Sequence, residues 1–296
     1  METAFADEGD TTCSLHRSLL QPLVIISVIL VPAFYSCRSN TPAAPRANPL
    51  PADTVTHQVK QKPASDSLTQ TAGPRKKIYL TFDDAPNKGT PNVFRTVKEE
   101  KVPASFFVVG KHVFDTPEQN KMFQELQADS SIELCNHSYT HAQLHYTYYY
   151  AHPAVVIKDF EKNESKLHLT SHIARMPGRN AWRVGAVNHT DIKESKAAID
   201  SVQKDGYAIL GWDVEWMFDH KTLALTTDTD LLIRQIENML EADKTRTPGH
   251  LVLLAHDQAF QSDAAVQQLH YLFQQLKNNP AFELVLASSY PGVKKQ

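Results

Sequence analysis

The stretch KKIYLTFDDAP, residues 76–86, joins an apolar run to two adjacent aspartates. The part KIYLTF has the β-branched and aromatic residues that favour a strand, and PNVFRTVKEEK after it predicts a helix opened by Pro91. Asp83 and Asp84 therefore stand at the carboxyl end of a strand that leads into a helix. This step from strand to helix is the first of a series along the chain.

Apolar runs typical of strands alternate with helix-like segments from Lys76 to the C-terminus. Such alternation predicts parallel strands covered by helices. No Gly-rich dinucleotide fingerprint is present, so about seven strands predict an α/β fold of the distorted (β/α)7 barrel type rather than a doubly wound sheet. After KIYLTF, the predicted strands are SFFVVG, SIELCN, HIARMP, YAILGWDV, HLVLLAHD and FELVLAS.

Charged residues or histidines stand at the ends of five predicted strands. These clusters are TFDD, NHSYTH, ARMPG, GWDVEW and LLAHD. The carboxyl ends of the strands carry the active site in parallel α/β barrels. A solvated loop does not account for His256, because it directly follows the apolar run LVLLA. We therefore expect one site at this edge of the barrel.

Two aspartates and two histidines, His137 and His141, supply the candidate metal ligands. One carboxylate with two imidazoles makes a three-ligand site with open positions for water and substrate, which fits catalytic zinc. The other aspartate is then free to act as general base, and a histidine from another strand can act as general acid. An arginine beside the free aspartate would keep it ionised. The set predicts metal-assisted attack of water on a carbonyl.

TFDDAP and NHSYTH, in this order along the chain, resemble the first two sequence motifs of the polysaccharide deacetylase family, also called NodB-homology or carbohydrate esterase family 4. TFDDAP is similar to the family's TFDDGP, which implies Asp83 as catalytic base and Asp84 as metal ligand. NHSYTH is similar to the second motif and implies His137 and His141 as the other ligands. The resemblance covers the chain from about Lys76 to the C-terminus.

The third and fifth motifs extend this resemblance. RMPG implies that Arg175 positions the catalytic base and that the backbone near Pro177 and Gly178 helps to bind the oxyanion. LLAHD implies His256 as general acid and Leu254 as part of a pocket for the acetyl methyl group.

The fourth motif is matched only loosely, by WDVEW. Glu215 and Asp213 are both candidates for the carboxylate that orients the acid histidine. Trp216, and Trp182 after the third motif, are candidates for lining a substrate groove, with core packing as the alternative for both. The tyrosines of the insert YTYYYA, residues 146–151, either stack on sugar rings or pack a helix on the barrel.

The resemblance implies a metal-dependent hydrolase that removes N-acetyl, or alternatively O-acetyl, groups from a glycan such as peptidoglycan or a chitin-like oligosaccharide. Zn²⁺ is the expected cofactor, with Co²⁺ or Ni²⁺ as other divalent choices. Two other classes stay open: a non-catalytic carbohydrate-binding lipoprotein on the same fold, and an iron(II) oxygenase with a two-histidine, one-carboxylate site. The net charge of -3 argues against a nucleic-acid partner, and no feature indicates an obligate protein partner.

The N-terminal region predicts export. LLQPLVIISVILVPAFY, residues 19–35, is uncharged, and PAFYSC resembles a bacterial lipobox ending at Cys37. We therefore expect an export signal over 1–37, a disordered Pro/Ala/Thr-rich tether over 38–75, and the catalytic domain over 76–296. The prediction is a periplasmic or outer-membrane-anchored lipoprotein, held to the membrane through a lipid. An uncleaved membrane-spanning helix is the alternative.

Overall fold

The structure is a computed structural model that describes residues 74–294. The predicted export signal and all but the end of the predicted tether lie outside these residues. Within the described range, no helix has both the length and the apolar character needed to cross a membrane.

Strands and helices alternate through the described residues, as predicted. The strands are β1 (Lys76–Ala85), β2 (Ala104–Val108), β3 (Ile132–Asn136), β4 (Ile173–Ala174), β5 (Ala181–Val184), β6 (Val187–Thr190), β7 (Ala208–Ile209), β8 (Val214–Glu215), β9 (His250–His256) and β10 (Phe282–Leu284). The helices are α1 (Thr90–Glu100), α2 (Gly110–Val113), α3 (Pro117–Ala128), α4 (Tyr146–Ala151), α5 (Pro153–Leu167), α6 (Lys196–Lys204), α7 (Thr229–Glu241) and α8 (Asp263–Asn278).

One sheet carries the fold, and its central row of strands runs β7-β4-β3-β2-β1-β9-β8. Every pairing in this row is parallel. The predicted α/β class with a (β/α)7-type arrangement is confirmed. The hairpin of β5 and β6 extends the row antiparallel to β7, and β10 pairs with the first residues of β1. FELVLAS therefore contributes only a short strand outside the row.

The predicted strand YAILGWDV is in fact two strands, β7 and β8, at opposite ends of the central row. The link between them, residues 210–213, reaches the neighbouring strands through N–H groups at its two ends: Leu210 donates to Ala174 of β4 and Asp213 donates to Val252 of β9. Its carbonyl groups are instead bound by side chains: Arg175 donates to the oxygens of Leu210 (3.1 Å) and Gly211 (2.9 Å). Asn180 donates to the oxygen of Trp212 (2.9 Å). Side chains thus satisfy backbone groups that a strand would otherwise pair.

Alternation along β1 separates a helix-facing side from an inner side. Ile78, Leu80 and Phe82 belong to the large apolar cluster under the helices. Tyr79 belongs to a second cluster in the interior, with Trp182 and other rings. Because strand side chains alternate, the odd-numbered residues of β1 point inward, and Asp83 ends that inner series. The strand therefore delivers a carboxylate to the carboxyl edge from the inside of the barrel.

Candidate metal centre and active site

A bulge at the end of β1 places both aspartates at the same edge of the sheet. Asp83 pairs with Phe107 of β2 and Ala85 pairs with Val108, so Asp84 has no partner in the ladder. Its φ of 70° lies in the left-handed region. Regular alternation would send two adjacent side chains to opposite faces, whereas a bulge redirects one of them. The bulge thus lets one aspartate approach the histidines while the other stays against the interior.

Asp84, His137 and His141 form a compact cluster. Their candidate ligand atoms all lie within 4.8 Å of one another. Oδ1 of Asp84 is 3.7 Å from Nε2 of His137 and 3.2 Å from Nε2 of His141. This oxygen is buried and has no hydrogen-bond partner within residues 74–294. An unpartnered buried carboxylate oxygen facing two imidazoles is the donor set that a divalent cation such as Zn²⁺ takes.

The surroundings of the two histidines direct Nε2 of each ring to the cluster. Nδ1 of His137 lies 2.9 Å from the carbonyl oxygen of Arg175, so this nitrogen carries the proton and Nε2 offers its lone pair. For His141, burial lowers the pKa to about 4, against the opposing effect of Asp84. Its imidazole is therefore neutral at neutral pH, as metal binding requires.

Asp83 is held from the opposite side by Arg175. Both side chains are buried, and Nη1 of the arginine donates to Oδ1 of the aspartate at 2.7 Å. The same nitrogen donates to Oγ1 of Thr81 at 2.9 Å. Oδ2 of Asp83 faces the cluster, 3.5 Å from Nε2 of His137. One carboxylate oxygen is thus fixed by the arginine, and the other is directed to the space beside the cluster.

His256 lies next to Asp83, because the two residues are register partners between β1 and β9. Nδ1 of His256 is 4.0 Å from Oε1 of Glu215. Asp213, the other predicted orienting residue, is engaged elsewhere: its carboxylate accepts from the backbone N–H groups of Arg246 (2.7 Å) and Val252 (2.8 Å). Of the two candidates only Glu215 approaches the histidine, so the expectation for Asp213 is corrected.

The predicted substrate-binding residues divide into two groups. Leu254 is buried two residues before His256 on β9, and so faces the same side of the strand. Pro177 is buried, while Gly178 is exposed with a φ of 61°. These three residues adjoin the edge that carries the cluster.

The two tryptophans belong to the core instead. Trp182 is 0% exposed and Trp216 is 1% exposed. Each indole N–H is satisfied internally, by Oδ1 of Asn180 for Trp182 and by the carbonyl of Thr227 for Trp216. The prediction that they line the groove is therefore wrong, and the packing alternative holds. Large rings gain most from burial when their single N–H finds a partner.

Two further residues at this edge were not predicted. Nδ1 of His112 lies 2.9 Å from the backbone oxygen of Asp84, so its N–H holds the bulge. Asp257 is fully buried and accepts hydrogen bonds from Asn87 and Thr90. Burial raises the pKa of Asp257 to about 7. Both residues come shortly after a strand ends, which is the same signal that identified the other clusters.

The row of parallel strands with a carboxylate–histidine cluster at its carboxyl edge defines an α/β barrel with a candidate mononuclear metal centre. Residues 70–205 match the profile of a family described as Polysaccharide deacetylase. The predicted resemblance to this family is confirmed over these residues. The matched segment contains Asp83, Asp84, both cluster histidines and Arg175, whereas His256 lies beyond it.

Individual relatives agree with the family match. The chain is 41% identical over 71 residues to a chitooligosaccharide deacetylase from Rhizobium leguminosarum bv. phaseoli, which is 24% of this chain and 30% of that relative. The chain thus matches less than a third of the length of that curated relative. A Streptococcus mutans CE4 esterase superposes with a TM-score of 0.54 at 19% identity, over 72% of this chain and 86% of the other.

A second solved structure has the same fold. The catalytic domain of a peptidoglycan N-acetylglucosamine deacetylase from Eubacterium rectale superposes with a TM-score of 0.52 at 21% identity, over 75% of this chain and 94% of the other. Structural likeness at this level of identity establishes the shared fold.

Proposed function

We propose that this protein is a metal-dependent deacetylase that hydrolyses N-acetyl groups of a glycan built from N-acetylglucosamine units. The proposal rests on one observation: the adjacent carboxylates of Asp83 and Asp84 contact different groups. Asp84 faces the imidazoles of His137 and His141, and Asp83 is bound to a buried arginine with one oxygen left free. This separation supports a metal ligand and a general base side by side.

Asp84, His137 and His141 would hold the cation. When bound, it would polarise the acetyl carbonyl and lower the pKa of the attacking water. The free oxygen of Asp83 takes a proton from water as the water oxygen bonds to the acetyl carbon. Arg175 is the buried counter-charge of this carboxylate and fixes its direction.

The remaining steps, binding of the oxyanion and protonation of the leaving amine, use Gly178 and His256. The carbonyl oxygen becomes negative as water adds, and Gly178 offers a backbone N–H there, whereas Pro177 has none. The C–N bond then breaks as His256 gives its proton to the amine nitrogen. Acetate and a free amine leave. Glu215, whose Oε1 lies 4.0 Å from Nδ1 of His256, orients this histidine.

The direct test is acetate release from a panel of acetylated chitooligosaccharides, peptidoglycan and acetylated xylan. Metal-stripped protein is supplied in turn with Zn²⁺, Co²⁺ and Ni²⁺. We expect Asp83→Asn to abolish acetate release while the bound metal stays at the wild-type amount. Asp115→Asn, an exposed aspartate, is the matched control. Full activity in Asp83→Asn would refute the proposed base.

A non-catalytic carbohydrate-binding role is the second candidate. One observation favours it: within the described residues Nδ1 of His256 is buried without a hydrogen-bond partner, and Glu215 stands at 4.0 Å. Binding of chitooligosaccharide with no acetate release from the metal-loaded wild type would support this role. Iron in the purified protein together with oxygen consumption would point to an oxygenase instead.

We also propose that the chain is exported and tethered to a membrane through Cys37, so that the substrate is a glycan of the cell envelope. The support is the uncharged run over 19–35 and the lipobox-like PAFYSC. Labelling of cells with a fatty-acid analogue should mark the wild type and not Cys37→Ala. Equal labelling, or recovery of both proteins from the cytoplasm, would contradict the proposal.

A further inference from the structure

A left-handed turn leads from the metal cluster into the tyrosine-rich helix α4. His141, Ala142, Gln143 and Leu144 are consecutive residues with φ values of 51°, 56°, 46° and 64°. Left-handed backbone is unfavourable for each of these residues, because none of them is a glycine. A run of this kind persists only where its surroundings hold it. Here it turns the chain back, so that the first residue of α4 returns to the histidine that begins the turn.

That first residue, Tyr146, contacts His141. Its hydroxyl oxygen lies 3.4 Å from Nδ1 of the histidine, on the side of the ring opposite the cluster. The two rings meet edge to face, with centroids 6.0 Å apart. The phenol also lies beside Gly178, where an added Cβ would come 3.1 Å from Cε1 of the tyrosine. Tyr146 thus touches a metal-ligand candidate and the glycine that we propose as oxyanion donor.

Helix α4 is anchored by hydrogen bonds on two sides. The hydroxyl of Tyr150 donates to the carbonyl of Pro177 at 2.6 Å. The hydroxyl of Tyr149 donates to Oδ2 of Asp159 at 3.1 Å. The same oxygen accepts from the backbone N–H (3.1 Å) and the hydroxyl (2.9 Å) of Thr140, which immediately precedes His141. These bonds fix the helix relative to both contacts of Tyr146.

We propose that Tyr146 is a positioning residue for the metal centre: its hydroxyl accepts a hydrogen bond from Nδ1–H of His141 and thereby directs Nε2 to the cation. This inference rests on the metal site of the proposed function. The backbone carbonyl of Arg175 plays the same part for His137. The ring of Tyr146 additionally forms a wall beside Gly178, next to which the acetyl group would lie.

The hydroxyl and the ring have separable roles. Tyr146→Phe removes only the hydroxyl, whereas Tyr146→Ala removes both. Partners of this kind contribute about 10–100-fold to metal affinity, and the long contact favours the lower end, about tenfold. We therefore expect the metal dissociation constant of Tyr146→Phe to rise about tenfold with an unchanged KM. Tyr146→Ala should show a similar loss of metal affinity together with a raised KM.

The decisive measurement is the Zn²⁺ dissociation constant, obtained by chelator competition on the full chain, beside the thermal unfolding midpoint of the metal-free protein. Tyr148→Phe is the matched control: it lies in the same helix, is 62% exposed and should leave both values unchanged. An unchanged Zn²⁺ constant in Tyr146→Phe overturns the inference. A lower midpoint in the metal-free Tyr146→Phe, with normal Zn²⁺ affinity, would mean that the tyrosine only packs.

The Zn²⁺ dissociation constants test the inference without any measurement of acetate release. Wild-type protein that binds Zn²⁺ but releases no acetate refutes the proposed function, and the inference then stands or falls on the Zn²⁺ constants. Wild-type protein that releases acetate while Tyr146→Phe binds Zn²⁺ normally refutes the inference alone. Wild-type protein that binds no divalent cation refutes both.

Discussion

Replacement of Arg175 should expose how strongly the barrel depends on one buried charge. The guanidinium is 0% exposed and donates to Asp83, to Thr81 and to the carbonyls of Leu210 and Gly211. Arg175→Met keeps much of the side-chain volume and removes every one of these bonds. The change therefore leaves a buried carboxylate without a counter-charge and two carbonyl groups without their donor.

The size of the effect follows from these losses. Breaking a buried ion pair by removing one partner costs about 3–5 kcal/mol. A domain of this size shifts its unfolding midpoint by roughly 2–4 °C per kcal/mol, so the midpoint should fall by about 6–20 °C. Adding Asp83→Asn neutralises the stranded carboxylate. The double variant should therefore be more stable than Arg175→Met alone, by about 1–3 kcal/mol.

The assay is thermal and urea unfolding of the wild type, both single variants and the double variant, which together form a double-mutant cycle. The reasoning fails if Arg175→Met unfolds at the wild-type midpoint. It also fails if the cycle gives no coupling, because the arginine would then act only by filling space. Arg95→Met, an exposed arginine whose side chain donates to Asn92 on its own helix, is the control and should be near neutral.

Three further outcomes are expected. Glu215→Gln should lower kcat by about tenfold without changing Zn²⁺ affinity, because it removes only the anion beside the acid histidine; an unchanged kcat would exclude that role. Zn²⁺ at 100 times its dissociation constant should stabilise the stripped wild type by about 2.7 kcal/mol in thermal unfolding, and Asp84→Ala should not respond. Burial alone would raise the pKa of Glu100, but hydrogen bonds from Lys277 and His270 lower it to about 2 from the usual 4.5. Its contribution to stability is therefore complete above pH 4.5 and is lost as the pH falls toward 2, so acid unfolding of Glu100→Gln should show a shallower decline over that window.

Local patterns in the sequence were enough to predict many of the elements. PNVFRTVKEEK forms most of α1, and Pro91 stands in its first turn as predicted. The strands that carry the clusters were also predicted, because burial on two faces leaves a continuous apolar run that needs no distant information. FELVLAS and YAILGWDV were less accurate, since the end of a strand depends on which neighbour it pairs with.

The candidate site likewise combines features that the sequence predicts with features that only the tertiary structure gives. That the clusters share one edge follows from the parallel order of the strands, so the sequence predicted the grouping of Asp84, His137 and His141. The bulge that turns Asp84 toward the histidines requires the register between β1 and β2, and no local pattern contains it. The choice of Glu215 over Asp213 likewise depends on where β8 meets β9.

The sequence by itself determined the α/β class, the carboxyl edge that holds the site and the residue types of the metal cluster, because these depend on composition and on short-range periodicity. Only the tertiary structure decided that Trp182 and Trp216 are core, that Arg175 fills the gap between β7 and β8, and that Tyr146 reaches His141. These are contacts between segments that approach only after folding, and their free energy comes from partners that the local sequence does not specify.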